Sequence, residues 1–175
     1  EKLDTLTGIY GIGLVPTGDK DPFGLRRAAL GVLRILIENK LALDVNELLQ
    51  LSKAAFPREV LADSVTVDLH SFILERLKNY LREKDFAPDE IDAVISQNPT
   101  RMDGVLPRMD AVQAFRAMPE SVSLAAANKR IRNILKKAET TNGAVNASLM
   151  ADVAEKNLFS AMQKLSPQVS AHTQN

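Results

Sequence analysis

Between Pro16 and Ile37 the chain reads P-T-G-D-K-D-P-F-G-L-R-R-A-A-L-G-V-L-R-I-L-I, and no other stretch limits the fold as much. Thr17 to Lys20 has the composition of a turn. Asp21 suits an N-cap, with Pro22 at the first helical position, where a missing N–H costs nothing. The helix that follows is apolar on most sides, through Leu25, Ala28, Ala29, Leu30, Val32, Leu33, Ile35, Leu36 and Ile37. Such a helix is expected to be central and mostly buried, so the rest of the chain has to supply faces to cover it.

Those faces recur as helices set off by short punctuated turns. Lys2 to Ile9 reads as the end of a helix stopped by Gly11 and Gly13. Asp44 and Glu47 give a capping-box-like start to a helix through Leu48, Leu49 and Leu51 that ends before Pro57. Asp63 or Ser64 opens a longer helix with Phe72, Ile73, Leu77, Tyr80 and Leu81 on one face. Pro88, Asp89 and Glu90 make an acidic first turn for a short helix. The chain restarts near Pro107, and Pro119 and Glu120 begin a helix reaching about Lys137. After a Thr140-Thr141-Asn142-Gly143 turn, a last helix carries Ala154, Leu158, Ala161, Met162 and Leu165. No sustained period of two appears, so the expected class is an all-α helical bundle with essentially no sheet. A boundary is expected between Pro57 and Ser64, dividing the chain into 1–62 and 63–175.

Charge and composition narrow the function. The 175 residues carry 22 basic and 22 acidic side chains, so any nucleic-acid site must be a local patch. Cysteine is absent, which excludes disulfides and thiolate metal sites and fits a reducing cytoplasm. His70 and His172 are too few for a histidine metal site. No apolar run approaches the roughly 20 residues that span a bilayer, so no membrane association is expected. Glu1 in place of an initiator Met suggests a piece of a longer chain.

Catalytic constellations fare poorly. A lone carboxylate, Asp4 in K-L-D-T-L, binds divalent ions weakly, and no His-Asp dipeptide exists to join it. Gly8, Gly11 and Gly13 lack a following Gly-Lys-Ser/Thr and read as helix-stop and turn residues. His70, beside Leu69 and Phe72, reads as a packed or half-exposed side chain rather than a catalytic base. Phe72, Phe115 and Phe159 fall on apolar faces and read as core. The expectation is no catalytic residue, no metal site and no cofactor within this chain.

The cations are more informative. At 100° per residue, Lys129, Arg130, Arg132, Lys136 and Lys137 lie opposite Leu124, Ile131, Ile134 and Leu135, and Asn133 points with the cations. Such a row can straddle RNA phosphates while Asn and Arg reach base edges. Basic residues near a helix C-terminus also complement its dipole, and periodicity alone leaves both readings open. Arg26, Arg27 and Arg34 sit on the otherwise apolar helix. A structural role is expected for them with Asp21, pairing to carboxylates (Asp4, Asp19 and Asp21 are candidates) or to helix-end carbonyls.

Two motifs carry a resemblance: K-L-D-T-L-T-G-I-Y-G-I-G (Lys2 to Gly13) and D-P-F-G-L-R-R-A-A-L-G-V-L-R-I (Asp21 to Ile35). Together they resemble the β subunits of the bacterial two-subunit glycyl-tRNA synthetase. A-A-A-N-K-R-I-R-N-I-L-K-K (Ala125 to Lys137) is similar to an element of the helical, DALR-type anticodon-binding domain found there and in arginyl-type synthetases. P-T-R (Pro99 to Arg101) and V-Q-A-F-R (Val112 to Arg116) also look like this family. The resemblance covers Lys2 to about Lys164 and is weakest from Leu41 to Ser64.

It implies that 1–62 is the C-terminal helical part of an HD-like domain, with Asp4 a remnant of its acidic element. It implies that 63–175 is an anticodon-binding domain lacking its last helices. Candidate RNA contacts are then Lys129, Arg130, Arg132, Asn133, Lys136, Lys137 and Arg101. ATP, Mg²⁺ and glycine would act at a partner α subunit in an α2β2-type assembly, with glycine tRNA as the RNA and the cytoplasm as the location. The alternative is a helical scaffold for subunit assembly without direct RNA contact.

Overall fold

The computed structural model describes residues 1–57, 59–136 and 145–173. Among them the chain forms α1 (Lys2–Gly11), α2 (Leu25–Glu38), α3 (Val45–Ala54), α4 (Val65–Arg82), α5 (Pro88–Ile95), α6 (Val105–Ala117), α7 (Ser121–Leu135) and α8 (Val153–Thr173), with a 3-10 turn at Ala147–Leu149. The all-α expectation holds: pairing outside helices is limited, among the described residues, to two isolated bridges, Thr17 with Lys20 and Asp44 with Arg101. The expected Thr140–Gly143 turn lies outside the described residues. The chain divides into two compact units, 1–122 and 123–175.

Capping chemistry sets several helix starts in the first unit. The Asp44 carboxylate accepts from the backbone N–H groups of Asn46 and Glu47 at 2.8 and 3.2 Å, satisfying two of the donors a helix start leaves unpaired. At α5, Glu90 reaches back to accept from the Ala87 N–H at 3.0 Å.

At α2 the structure corrects the sequence reading. The helix starts at Leu25, with Gly24 at φ 65° before it, and Pro22 lies in a preceding turn closed by Gly24 N–H to the Asp21 carbonyl. Asp21 still caps, but from four residues upstream: its two oxygens accept from Leu25 and Arg26 N–H at 2.8 and 2.9 Å. Glycine at a left-handed φ allows this offset, which residue types alone do not reveal.

The organising helix is α4, not α2. It packs against α1, α2, α3 and α5, whereas α2 meets α1 and α4. Leu69, Ile73, Leu77 and Leu81, one turn apart, are fully buried. Around them close Leu6 of α1, Leu25 and Leu33 of α2, Val45 and Leu49 of α3, and Ile91 of α5, and Met102, Val105 and Met109 complete the core. On α2 one side is buried, while Arg27, Arg34 and Ile35 face solvent. Leu61 and Val65, which flank the division expected at 62/63, enter the same core.

Two connections are pinned. The Gly11 carbonyl, at the end of α1, accepts from Ala62 N–H at 3.1 Å, and a Cβ at Gly11 would stand 2.6 Å from Leu61 Cδ2. Gly13 takes φ 85° in the turn that follows. Between α5 and α6, the Thr100 carbonyl accepts from Val45 N–H at 2.9 Å, and the Pro99 carbonyl lies 3.2 Å from His70 Nε2. His70, half-buried, thus has the packed role its neighbours suggested.

The second unit contains most of α7, the 3-10 turn and α8. Asn146 caps the 3-10 turn through the Ser148 N–H at 3.0 Å. Asp152 accepts from Ala154 N–H at 2.8 Å while Glu155 accepts from Asp152 N–H at 3.3 Å, a reciprocal cap for α8. The apolar residues of these helices are largely exposed.

Candidate nucleic-acid interface

From Ser121 to Lys136 the chain contains no acidic residue, so the cations of α7 have no neighbour of opposite charge one turn away. Lys129, Arg130 and Arg132 project from α7 and Lys136 follows its last residue, all exposed. Lys137 lies outside the described residues. Among the described residues none of these four cations forms an ion pair. A shallow groove of about 370 Å³ along the helix is lined by Ala126, Lys129, Arg130, Asn133 and Ile134. It brings together three of the expected contacts: two cations and the carboxamide able to read a base edge.

The opposite side of α7 departs from expectation. Leu124, Ile131 and Leu135 lie away from the groove while Ile134 lines its edge, and the four are 54, 54, 50 and 59% exposed in that order. Phe115, read as core, is also exposed (42%). Phe72 is half-buried, its ring centroid 5.4 Å from that of Tyr10, and Phe159 is half-buried on α8.

Arg101 belongs to the first unit, on the link between α5 and α6. Its guanidinium donates in fork geometry to both oxygens of Asp103, at 2.9 and 2.8 Å. That pair holds the Asp103 carboxyl below the usual aspartate range. Asp44, across the bridge, is likewise lowered, first by a hydrogen bond from the Thr100 hydroxyl and further by the Glu47 and Asn46 amides. Arg101 therefore closes a local polar cluster while remaining half exposed. Arg116, from V-Q-A-F-R, is anchored by Asp89 and Glu90 at 2.9 and 3.1 Å. The Ala87 amide, with Gln113 and Arg116, keeps the Glu90 carboxyl below its ordinary value.

Of the arginines of α2, one meets a carboxylate as expected, though not one of the three candidates. Arg26 donates to the Gly18 carbonyl, bracing the turn. Arg34 lies 3.8 Å from Glu83, the residue that follows α4, both exposed, and the Arg27 side chain forms no hydrogen bond or ion pair among the described residues. None of the three guanidinium groups pairs with Asp4, Asp19 or Asp21, although the Arg26 backbone N–H donates to Asp21. Asp4 instead accepts from the Ser52 hydroxyl at 2.9 Å, which lowers its pKa. Arg27 and Arg34 face solvent on the charged side of α2, so neither requires a buried partner. Arg76, Asn79 and Tyr80 of α4, which the sequence reading did not single out as a site, line a groove with Arg26 and Arg27. The i, i+4 spacing of Arg76 and Tyr80 was the available signal.

Among the described residues no three His, Cys, Asp or Glu side chains gather as a metal site, and no helix is long and apolar enough to cross a membrane. A family model described as glycyl-tRNA synthetase beta subunit matches residues 1–96. The glycine–tRNA ligase beta subunit of Aromatoleum aromaticum is 52% identical over 176 residues, covering 100% of this chain and 25% of that protein. Those of Ralstonia nicotianae and Neisseria meningitidis serogroup C are each 47% identical, covering 97 and 98% of this chain and 24% of theirs. The chain spans about a quarter of the length of the curated relatives it matches. With a family model matched over more than half its length and relatives aligned almost end to end, the chain belongs to the glycyl-tRNA synthetase beta subunit family.

Proposed function

We propose that this chain is the tRNA-recognition portion of a glycine–tRNA ligase, binding the anticodon region of glycine tRNA through the cationic side of α7. The observation that carries this reading is the exposed row Lys129, Arg130, Arg132 and Lys136, without ion pairs among the described residues, with Asn133 in its midst. Unpaired cations release phosphate counterions on binding, whereas cations already paired to carboxylates gain less. Lys137 and the half-exposed Arg101 are further candidates in the same reading.

The chain has a binding role, raising specificity by differential affinity, and bond chemistry with ATP, Mg²⁺ and glycine takes place at a partner α subunit in the cytoplasm. Residues 1–62 then correspond to the end of an HD-like domain and 63–175 to the anticodon-binding domain. The test is filter binding of glycine tRNA at two salt concentrations. Changing Lys129, Arg130 and Arg132 to Glu should weaken binding at least about tenfold at low salt and flatten the salt slope. Unchanged binding removes α7 from the interface.

A second reading, subunit assembly without RNA contact, is favoured by a separate observation. An apolar trough of about 510 Å³ on the second unit is lined by Leu149, Leu158, Phe159 and Met162 among others. Co-purification with an α subunit by a chain with no measurable RNA affinity would select it.

A further inference from the structure

The groove between α2 and α4 holds more positive charge than its surroundings neutralise. Arg26 and Arg27 line it from α2, Arg76, Asn79 and Tyr80 from α4, and Glu83 from the cap just past α4. Glu83, the single carboxylate, is engaged by Arg34. Arg26 is committed in part to the Gly18 carbonyl, while Arg27 stands exposed without a partner among the described residues.

Two of the residues lining this groove also carry polar atoms without a partner among the described residues. Tyr80 is 3% exposed, and its hydroxyl has no hydrogen-bond partner. The Arg76 Nε–H is buried and unpaired as well, its guanidinium held 5.6 Å over the Phe72 ring. Buried donors without acceptors are rare and unfavourable in folded proteins, and two of them at one cationic groove call for an acceptor.

We propose that this groove binds a phosphate group, with Arg27 and Arg76 as its charged walls and the Tyr80 hydroxyl as a further donor. A tetrahedral oxyanion offers oxygens in several directions at once, which suits guanidinium forks arriving from two helices. Its negative charge answers the surplus of arginine over Glu83. At about 220 Å³ the space is smaller than the roughly 300 Å³ at which pockets begin to enclose whole drug-sized ligands. It takes one phosphate group, either a phosphodiester of an RNA backbone or a free phosphate ion. Arg27, exposed and without a partner among the described residues, has its guanidinium available to an anion in the groove. The inference is independent of the cationic row on α7.

The experiment is an NMR titration of the 175-residue chain with inorganic phosphate, against sodium chloride at matched ionic strength. Saturable shifts are expected in the backbone amides of residues 26–30 and 76–83 and in the Nε–H signals of Arg27 and Arg76, with phosphate and not with chloride. Arg27→Gln, at an exposed position, should weaken phosphate about tenfold, the scale of one hydrogen bond between charged groups. Tyr80→Phe should weaken it about threefold and leave the melting temperature no lower than that of the parent, because the hydroxyl it removes has no protein partner. The Lys129, Arg130, Arg132 triple Glu variant should bind phosphate like the parent.

A mixed-sequence single-stranded RNA assigns the source. Shifts at the same amides indicate a backbone phosphodiester, and their absence beside a positive phosphate titration indicates the free ion. Equal responses to phosphate and chloride, or parental affinity in both Arg27→Gln and Tyr80→Phe, would overturn the proposal.

Discussion

Helices α4 and α8 follow the same design and meet opposite fates. Both are long, 18 and 21 residues, and both place apolar residues one turn apart. In α4 these are Leu69, Ile73, Leu77 and Leu81, all shut off from solvent; in α8 they are Leu158, Met162, Leu165 and Val169, each more than half exposed. Periodicity says that a face seeks cover. It does not say what supplies it. For α4 the cover is α1, α2, α3 and α5 from the same unit, and the first unit is accordingly the part whose stability can be argued residue by residue.

The contrast can be broken by substitution. Leu77→Ala should destabilise the chain by about 2–5 kcal/mol, since a fully buried leucine leaves a cavity that a close-packed core fills poorly. Leu158→Ala should change stability by less than about 0.5 kcal/mol, as exposed positions do. Urea unfolding of both variants measures this, and comparable losses would mean that α8 is covered in solution.

A smaller effect is expected at Gly11. Its added methyl in Gly11→Ala meets Leu61 Cδ2 at 2.6 Å, and forcing the connection away from α1 should cost about 1–3 kcal/mol. Calorimetry showing no loss would mean that the Leu61 side chain yields freely. The smallest effect is that of pH. The Glu90, Asp44 and Asp103 carboxyls are held below their ordinary values by hydrogen bonds present only in the fold. Their contribution is intact above the ordinary carboxylate range near pH 4 and is lost as pH falls through their lowered values. Melting temperature should therefore fall on acidification below about pH 4, and Glu90→Gln should make that fall shallower. An unchanged profile in the variant would remove Glu90 from the acid response.

Much of the first unit was legible because its signals are local. The Asp44 cap, the Pro88-Asp89-Glu90 start and the apolar stripe of α4 each act within about one or two helical turns. Features set by tertiary contact were not. Arg34 meets Glu83 across 49 positions of sequence, and Asp21 caps at a distance because Gly24 takes a left-handed turn. The centrality of α4 over α2 follows from which elements surround each helix, which apolar content does not encode. At the candidate site, the cationic row on α7 was readable from its 100° spacing. The Arg27–Arg76–Tyr80 groove was not, because it forms only when α2 and α4 are laid side by side.

The link between α5 and α6 carries a final consequence. Within three consecutive residues it is fastened to His70 through the Pro99 carbonyl, to Val45 through the Thr100 carbonyl and to Asp44 through the bridge at Arg101. A strap tied at three successive points has one permitted length. Insertions or deletions between Pro99 and Arg101 would throw these ties out of register, so across related chains this should be a connection of fixed length even where its residues vary.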